Sequence, residues 1–252
     1  YFLFISLLFI VHSSIALAQH SDSTRIVNQR WKTQKIQQGI VWKQAHFNNL
    51  FQAHQEINFL VIDLKRAGHR LHLAADPTQL KTTSTFAHEN KALAAINAGF
   101  FDMKNGGAVD YIKVDNTVIN LTKSESARAN AVFAFSAKEA HILASQDHPA
   151  EKSEFPNLLL AGPLLLRNNT LVALPDSPFN SNRHPRTALA ITADHKLILF
   201  VVDGRSPQSY GMSLKELAQT LKWLGATSAM NLDGGGSSSM YIRKANGIVN
   251  HP

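Results

Sequence analysis

Two aspartates, each followed by glycine, are the residues of this sequence best suited to chemistry: Asp203-Gly204-Arg205 and Asp233-Gly234-Gly235-Gly236-Ser237-Ser238. A pair of carboxylates can work as acid and base, or acid and nucleophile, on a glycosidic bond. Consecutive glycines let backbone approach a ligand closely and accept positive φ, and their successive amides can form a nest for an anion. A turn between strands needs one or two glycines, so three flanked by Asp and Ser point to a ligand. A flexible hinge fits poorly, because the runs on either side are apolar. A nucleotide-binding P-loop is excluded, since no Gly-Lys-Ser/Thr follows.

Other residues have two readings each. Arg186, in Arg183-His184-Pro185-Arg186, can grip a phosphate bidentately or form a surface ion pair. Asp203-Gly204-Arg205 taken alone is equally a polar turn. Asn97 stands at the end of an apolar run as a site residue or a turn residue. Asp102 is a metal ligand or a turn residue, and His184 is of interest because it adjoins Arg186. The 12 histidines contain no H-E-x-x-H spacing, and His69 and His72 would face opposite sides of a strand.

The elements that must position these residues are strongest over 186–242. "RTALAIT" (186–192) reads as a strand and "DHK" (194–196) as a turn. "LILFVV" (197–202) reads as a strand buried on both faces. Ser213 and Glu216 have capping-box spacing. Leu214, Leu217, Ala218, Leu221 and Leu224 fall on one helix face, and Gly225 is the expected stop. "TSAMNL" (227–232) is the next strand. This β-α-β unit predicts parallel strands with a right-handed crossover. Asp203 and Asp233 then share one end of the sheet, the end where ligands bind in open α/β sheets, about 5 Å apart for adjacent strands or about 10 Å for next-but-one.

Upstream, 57–65 and 69–76 read as strands, and 84–102 as a short helix from a Ser84 cap running into a strand that stops at Asn97. Hairpins are expected over 106–120, turning at Asp115-Asn116, and over 130–144. The stretch 157–172 breaks at Gly162-Pro163 and turns again at Asn168-Asn169. The fold class is therefore α+β: a mixed β-sheet core with hairpins, a βαβ unit near the C-terminus and helices packed on the sheet.

With 252 residues, 44% hydrophobic and 17% charged, the chain can bury a core. Its net charge of +7 favours anionic partners. The cations are scattered rather than clustered, which argues against nucleic acid. The absence of cysteine excludes disulfide scaffolds, thiolate catalysis and zinc-thiolate sites. Residues 1–18 read as a signal peptide ending at Ala16-Leu17-Ala18, which places the protein in the periplasm or outside the cell. No later stretch is long and apolar enough to span a membrane. Residues 19–55 read as a polar N-terminal segment leading into a domain over 56–252.

"INAGFFD" (96–102), "RTALAIT" (186–192), "VVDGR" (201–205) and "NLDGGGSSSM" (231–240) together resemble, in order and spacing, the phosphodiester glycosidase family, which includes exported bacterial proteins. The resemblance covers residues 56–252 and departs at Ala98 and Phe100, where the family usually has Gly and Tyr. It implies hydrolysis of a sugar-1-phosphodiester and a family pattern continuing beyond "GIVNHP". On this reading Asp233 and Asp203 are the catalytic carboxylates, with acid, base and nucleophile unassigned. Arg186 and Arg205 orient the phosphate, while Asn97, Asn231, Gly234, Gly235, Gly236 and Ser237 complete the pocket. Two alternatives use the same residues. One is a non-catalytic module binding an anionic cell-surface glycan. The other is a calcium-dependent surface protein, with Asp102, Asp203 or Asp233 as oxygen ligands. Sugar identity, metal requirement and oligomeric state stay open.

Overall fold

The strand Lys196–Val202 (β13) alternates its contacts with period two, as extended backbone must. Leu197, Leu199 and Val201 enter one apolar cluster, while Ile198, Phe200 and Val202 enter a second on the opposite face. The sheet containing it is therefore covered on both sides. In the computed structural model, which describes residues 21–122 and 128–252, that sheet has eight strands. Its order is β1 (Lys32–Gln37), β2 (Ile40–Leu50), β3 (Ala53–Asp63), β13, β12 (Arg186–Thr192), β14 (Ala226–Asn231), β10 (Leu164–Arg167) and β11 (Thr170–Leu171), and every neighbouring pair is antiparallel.

One face packs on a five-stranded antiparallel sheet, ordered β6 (Thr117–Asn120), β5 (Ile112–Val114), β9 (Asn157–Ala161), β7 (Ala131–Phe135) and β8 (Ala140–Ala144). A three-stranded sheet of β16 (Gly247–Ile248), β15 (Met240–Ile242) and β4 (Ala94–Ile96) joins the same core through Met240 and Ile242. The other face carries helical residues 21–27 (α1) and the helix Leu214–Trp223 (α5), whose Leu214, Leu217, Ala218 and Leu221 are all buried there. Ala188 and Ala190 of β12 and Ala226 and Ala229 of β14 meet them, small side chains that let a helix lie close on the sheet. Three short helices complete the described residues: α2 (Leu64–Ala67), α3 (Thr83–Glu89) and α4 (Pro178–Ser181). No helix among the described residues is long and apolar enough to cross a membrane. The proposed signal peptide, 1–18, lies outside the described residues.

The α+β class and most local readings hold. β13, α5 and β14 form the βαβ unit, and β12 lies between its two strands and antiparallel to both, which makes them parallel next-but-one neighbours. The turns at Asp115-Asn116 and Asn168-Asn169 carry paired positive φ, as two-residue hairpins require. Residues 69–76 are a correction. Asp63 Oδ1 caps α2 by accepting from the Lys65 and Arg66 amides, which turns the chain off the sheet. Gly68–Arg70 then form a 3-10 turn followed by irregular backbone. The alternating His and Leu of this stretch imitate a strand, and the two-sided placement of His69 and His72 falls with it. The cap of α3 is Thr82, whose hydroxyl accepts from the Thr85 amide, and not Ser84. The polar stretch 32–50, in which no strands were expected, forms β1 and β2.

The α5 capping box is complete: Ser213 Oγ accepts from the Glu216 amide at 3.3 Å, and Glu216 Oε2 accepts from the Ser213 amide at 2.9 Å. Glu216 Oε1 also accepts from Arg183 Nη2 at 2.6 Å, which ties the helix start to the segment entering β12. Ser213→Ala is expected to lower stability by about 1 kcal/mol in urea unfolding; an unchanged midpoint and slope would show that the cap contributes nothing.

Candidate active site

Three strand ends meet at one end of the eight-stranded sheet. β13 releases Asp203 there and β14 releases Asp233 two residues past its end. β12 begins there, with Arg186 opposite Val202 and Ala188 opposite Asn231. Both aspartates leave the sheet at the same end, as parallel strands require.

Backbone hydrogen bonds fix the glycine loop to its surroundings. The amides of Leu232, Asp233 and Gly235 donate to the carbonyls of Thr187, Ala98 and Pro185 at 2.8, 2.9 and 2.9 Å. Asn97 clasps the loop at both ends. Its Nδ2 donates to the Asp233 carbonyl at 2.7 Å, and its Oδ1 accepts from the Thr187 hydroxyl at 2.7 Å and the Ser239 amide at 3.0 Å. It acts as a strut, with its polar groups committed to the protein. Asn231 is fully buried with Nδ2 donating to the carbonyls of Gly162 and Leu232, so it braces the sheet rather than facing the cleft.

The two carboxylates differ in setting. Asp233 lines a cleft of about 1,090 Å³ between the sheets, together with Asn97, Phe100, Gly236, Ser237 and Ser239. Its Oδ1 accepts from the Gly234 amide at 2.9 Å. Burial raises its pKa above the ordinary 3.8, opposed by hydrogen bonds from Ser237 and Gly234 and by the charge of Arg128. Asp203 is 6% exposed and does not line the cleft. Burial raises its pKa too, opposed by hydrogen bonds from Asn250 and the His251 amide and by the charge of His251.

The arginines also divide. Arg186 is 1% exposed, and its guanidinium donates to the carbonyls of Met212, Phe179 and Asn182 at 2.9, 2.6 and 3.0 Å. It is not a surface ion pair. Burial and the charge of Arg205 bring its pKa down to about 10, so it is cationic at neutral pH. Arg205, at φ +61°, lies over the loop: a methyl on Gly235 would come within 3.1 Å of Arg205 Nη2. His184 is held below its usual pKa by burial and by Arg186 and Arg205, which keeps it neutral at pH 7.

Three residues were missed by sequence reasoning. Arg128 stacks over Phe100 and Phe179 at 5.2 and 5.4 Å while its charge reaches Asp233. Phe179 in turn carries Arg186 over its ring at 5.1 Å. Asn250 bridges the two aspartate loops. None sits in a motif, and no local signal marks them.

Asp102 resolves as a turn residue: its carboxylate accepts from the amides of Lys104 and Asn105 and from Asn105 Nδ2. Among the described residues no three His, Asp or Glu side chains lie together so as to hold a metal ion.

The three glycines are not equivalent. A Cβ on Gly234 would come 2.9 Å from the Pro185 carbonyl oxygen, and Gly235 combines φ +61° with contact to Arg205. Gly236 has negative φ and open space where a Cβ would go, on the wall of the cleft. Gly235→Ala is expected to lower the melting temperature, by roughly 1–2 kcal/mol of stability from backbone strain alone. Gly236→Ala is expected to fold as the wild type does. Equal melting temperatures for all three proteins would refute this division.

A family profile described as phosphodiester glycosidase matches residues 90–252. The chain is 27% identical over 165 residues to mouse (Mus musculus) N-acetylglucosamine-1-phosphodiester alpha-N-acetylglucosaminidase, which covers 59% of this chain and 31% of that protein, so it spans about a third of the relative's length. Its fold is similar to that of a hypothetical protein from Synechocystis, with TM-score 0.66, 17% identity and coverage of 88% of this chain and 61% of the other. It is also similar to the zebrafish N-acetylglucosamine-1-phosphodiester alpha-N-acetylglucosaminidase catalytic domain auto-inhibited by its pro-peptide, with TM-score 0.62, 21% identity and coverage of 84% and 75%. The profile match spans more than half the chain, and the chain belongs to the phosphodiester glycosidase family.

Proposed function

We propose that the protein is an exported hydrolase that cleaves the glycosidic bond of a sugar-1-phosphodiester, releasing the sugar and a phosphomonoester. The observation that carries this reading is Asp233: a half-buried carboxylate on the wall of a cleft, held by Gly234 and Ser237, with the charge of Arg128 reaching it. The family supports the substrate class, and the mouse relative's name specifies a sugar-1-phosphodiester for that protein. Export is supported by the apolar opening that ends at Ala16-Leu17-Ala18.

The chemistry suits these residues. When the bond from C1 to the phosphate oxygen breaks, that oxygen stays on a phosphomonoester whose second pKa is about 6. Such a leaving group needs positive charge more than a proton. Arg128 and Arg205 supply it, and Arg186, buried beneath the loop, adds to the field. Asp233 is the carboxylate that meets the anomeric carbon or its attacking water, and Asp203 supports it from the next-but-one strand end.

The test uses an aryl or alkyl sugar-1-phosphodiester with wild type and Asp233→Asn. The variant is expected to lose at least about 10³-fold in kcat. Its stability should move the other way. Because burial raises the Asp233 pKa, the folded state keeps a proton that the unfolded chain releases above about 3.8, so stability falls as pH climbs from that value through the raised pKa. Asn keeps an oxygen for the Gly234 amide and removes the buried charge. Asp233→Asn should therefore melt higher than wild type at pH 7, with the gap closing toward about pH 4. Equal activity in both proteins, or tight binding of the phosphodiester without turnover by wild type, would overturn the hydrolase reading.

A further inference from the structure

Asn250 touches both halves of the site. It is 2% exposed, and its Nδ2 donates to Asp203 Oδ1 at 2.9 Å and to the Ser238 carbonyl of the glycine loop at 2.9 Å. Its Oδ1 accepts from the Met240 amide at 2.7 Å. That third bond fixes the amide's orientation. The Met240 N–H can only donate, so the oxygen must face it, and the NH2 group is left facing the carboxylate and the carbonyl. The Asp203 loop is held from the other side as well: the Ser209 hydroxyl donates to the Asp203 carbonyl at 2.7 Å, and the Asp203 amide donates to the Glu56 carbonyl at 3.0 Å.

We propose that Asn250 is a positioning residue for the hydrolysis proposed above, holding the Asp203 carboxylate at a fixed offset from the loop that carries Asp233. The reasoning is one of donor chemistry. A buried carboxylate without a hydrogen-bond donor is costly, and a side-chain amide supplies a donor with no charge of its own. An aspartate at this position would offer no N–H and would face a like charge. A shorter side chain would release the two loops from each other. His251 also acts on Asp203, through a hydrogen bond from its backbone amide and, separately, through the charge of its side chain.

The experiment uses Asn250→Ala and Asn250→Asp in the full chain, with two readouts. The first is the titration of the Asp203 carboxyl followed by ¹³C NMR, assigned with Asp203→Asn. Loss of the donor is expected to raise that titration midpoint by about one unit in Asn250→Ala, the equivalent of one charge-assisted hydrogen bond. The second readout is kinetic. kcat on a sugar-1-phosphodiester is expected to fall about 10- to 100-fold, with KM changed by less than about threefold. Asn250→Asp keeps the acceptor for Met240 and regains a donor only when protonated, so its activity relative to wild type should fall as pH rises.

A folded Asn250→Ala protein with the wild-type Asp203 titration and kcat would overturn the proposal. If that variant fails to fold, Asn250→Asp decides, and a pH–rate profile parallel to wild type would overturn the proposal equally. A wild type that hydrolyses no sugar-1-phosphodiester would defeat the functional reading alone. The Asp203 titration would still decide the role of Asn250.

Discussion

One strand, β12, runs antiparallel between β13 and β14, and the geometry of the site follows from that insertion. It makes the two outer strands parallel, so the residues that end them leave at the same end of the sheet. It also brings the start of a third strand to that end. Pro185 and Arg186 then lie under the glycine loop, where the Pro185 carbonyl accepts from Gly235 and leaves no room for a side chain on Gly234. The helix α5 completes the constraint from the opposite face, because Glu216 both caps that helix and binds Arg183, three residues before β12 begins. Packing on one side of the sheet thus fixes the polar constellation at its end.

The fold places two acids where ionisation is opposed. Burial is the largest influence on both Asp203 and Asp233, and hydrogen bonds from neutral donors, together with nearby positive charge, offset part of it. Such a balance costs stability at neutral pH, and carboxyls perturbed in this way cluster at functional sites. Asp233 is open to the cleft, whereas Asp203 is set back from it and hydrogen-bonded by Asn250. Three arginines lie at this end of the sheet in different settings: Arg186 buried and bound to carbonyls, Arg205 exposed over the glycine loop, and Arg128 with its charge reaching Asp233.

What was legible in the sequence was local. The β13–α5–β14 unit could be read because an apolar run, a capping box, a helical stripe and a closing glycine lie within about forty residues, each set by short-range chemistry. The hairpin turns were legible for the same reason. The unit's two aspartates and its glycine loop followed. Three things escaped. β1 and β2 are largely polar on their outer faces, so their alternation is masked. Residues 69–76 alternate like a strand, yet the Asp63 cap directs them elsewhere. Arg128 and Asn250 matter only through tertiary contacts; Asn250 meets Asp203 across 47 positions of chain. Arg186 and Asn231 were found as residues but not as structural members, because burial is a property of the assembled sheet.

The central claim is that this site breaks the bond between the anomeric carbon and oxygen, rather than the bond between phosphorus and oxygen. Hydrolysis of a sugar-1-phosphodiester in H₂¹⁸O, with the products separated and weighed by mass spectrometry, tests it most directly. Attack at the anomeric carbon places the heavy oxygen in the released sugar and leaves the phosphomonoester unlabelled, which is the predicted result. Label in the phosphomonoester with none in the sugar would contradict the account, because the nucleophile would then have attacked phosphorus.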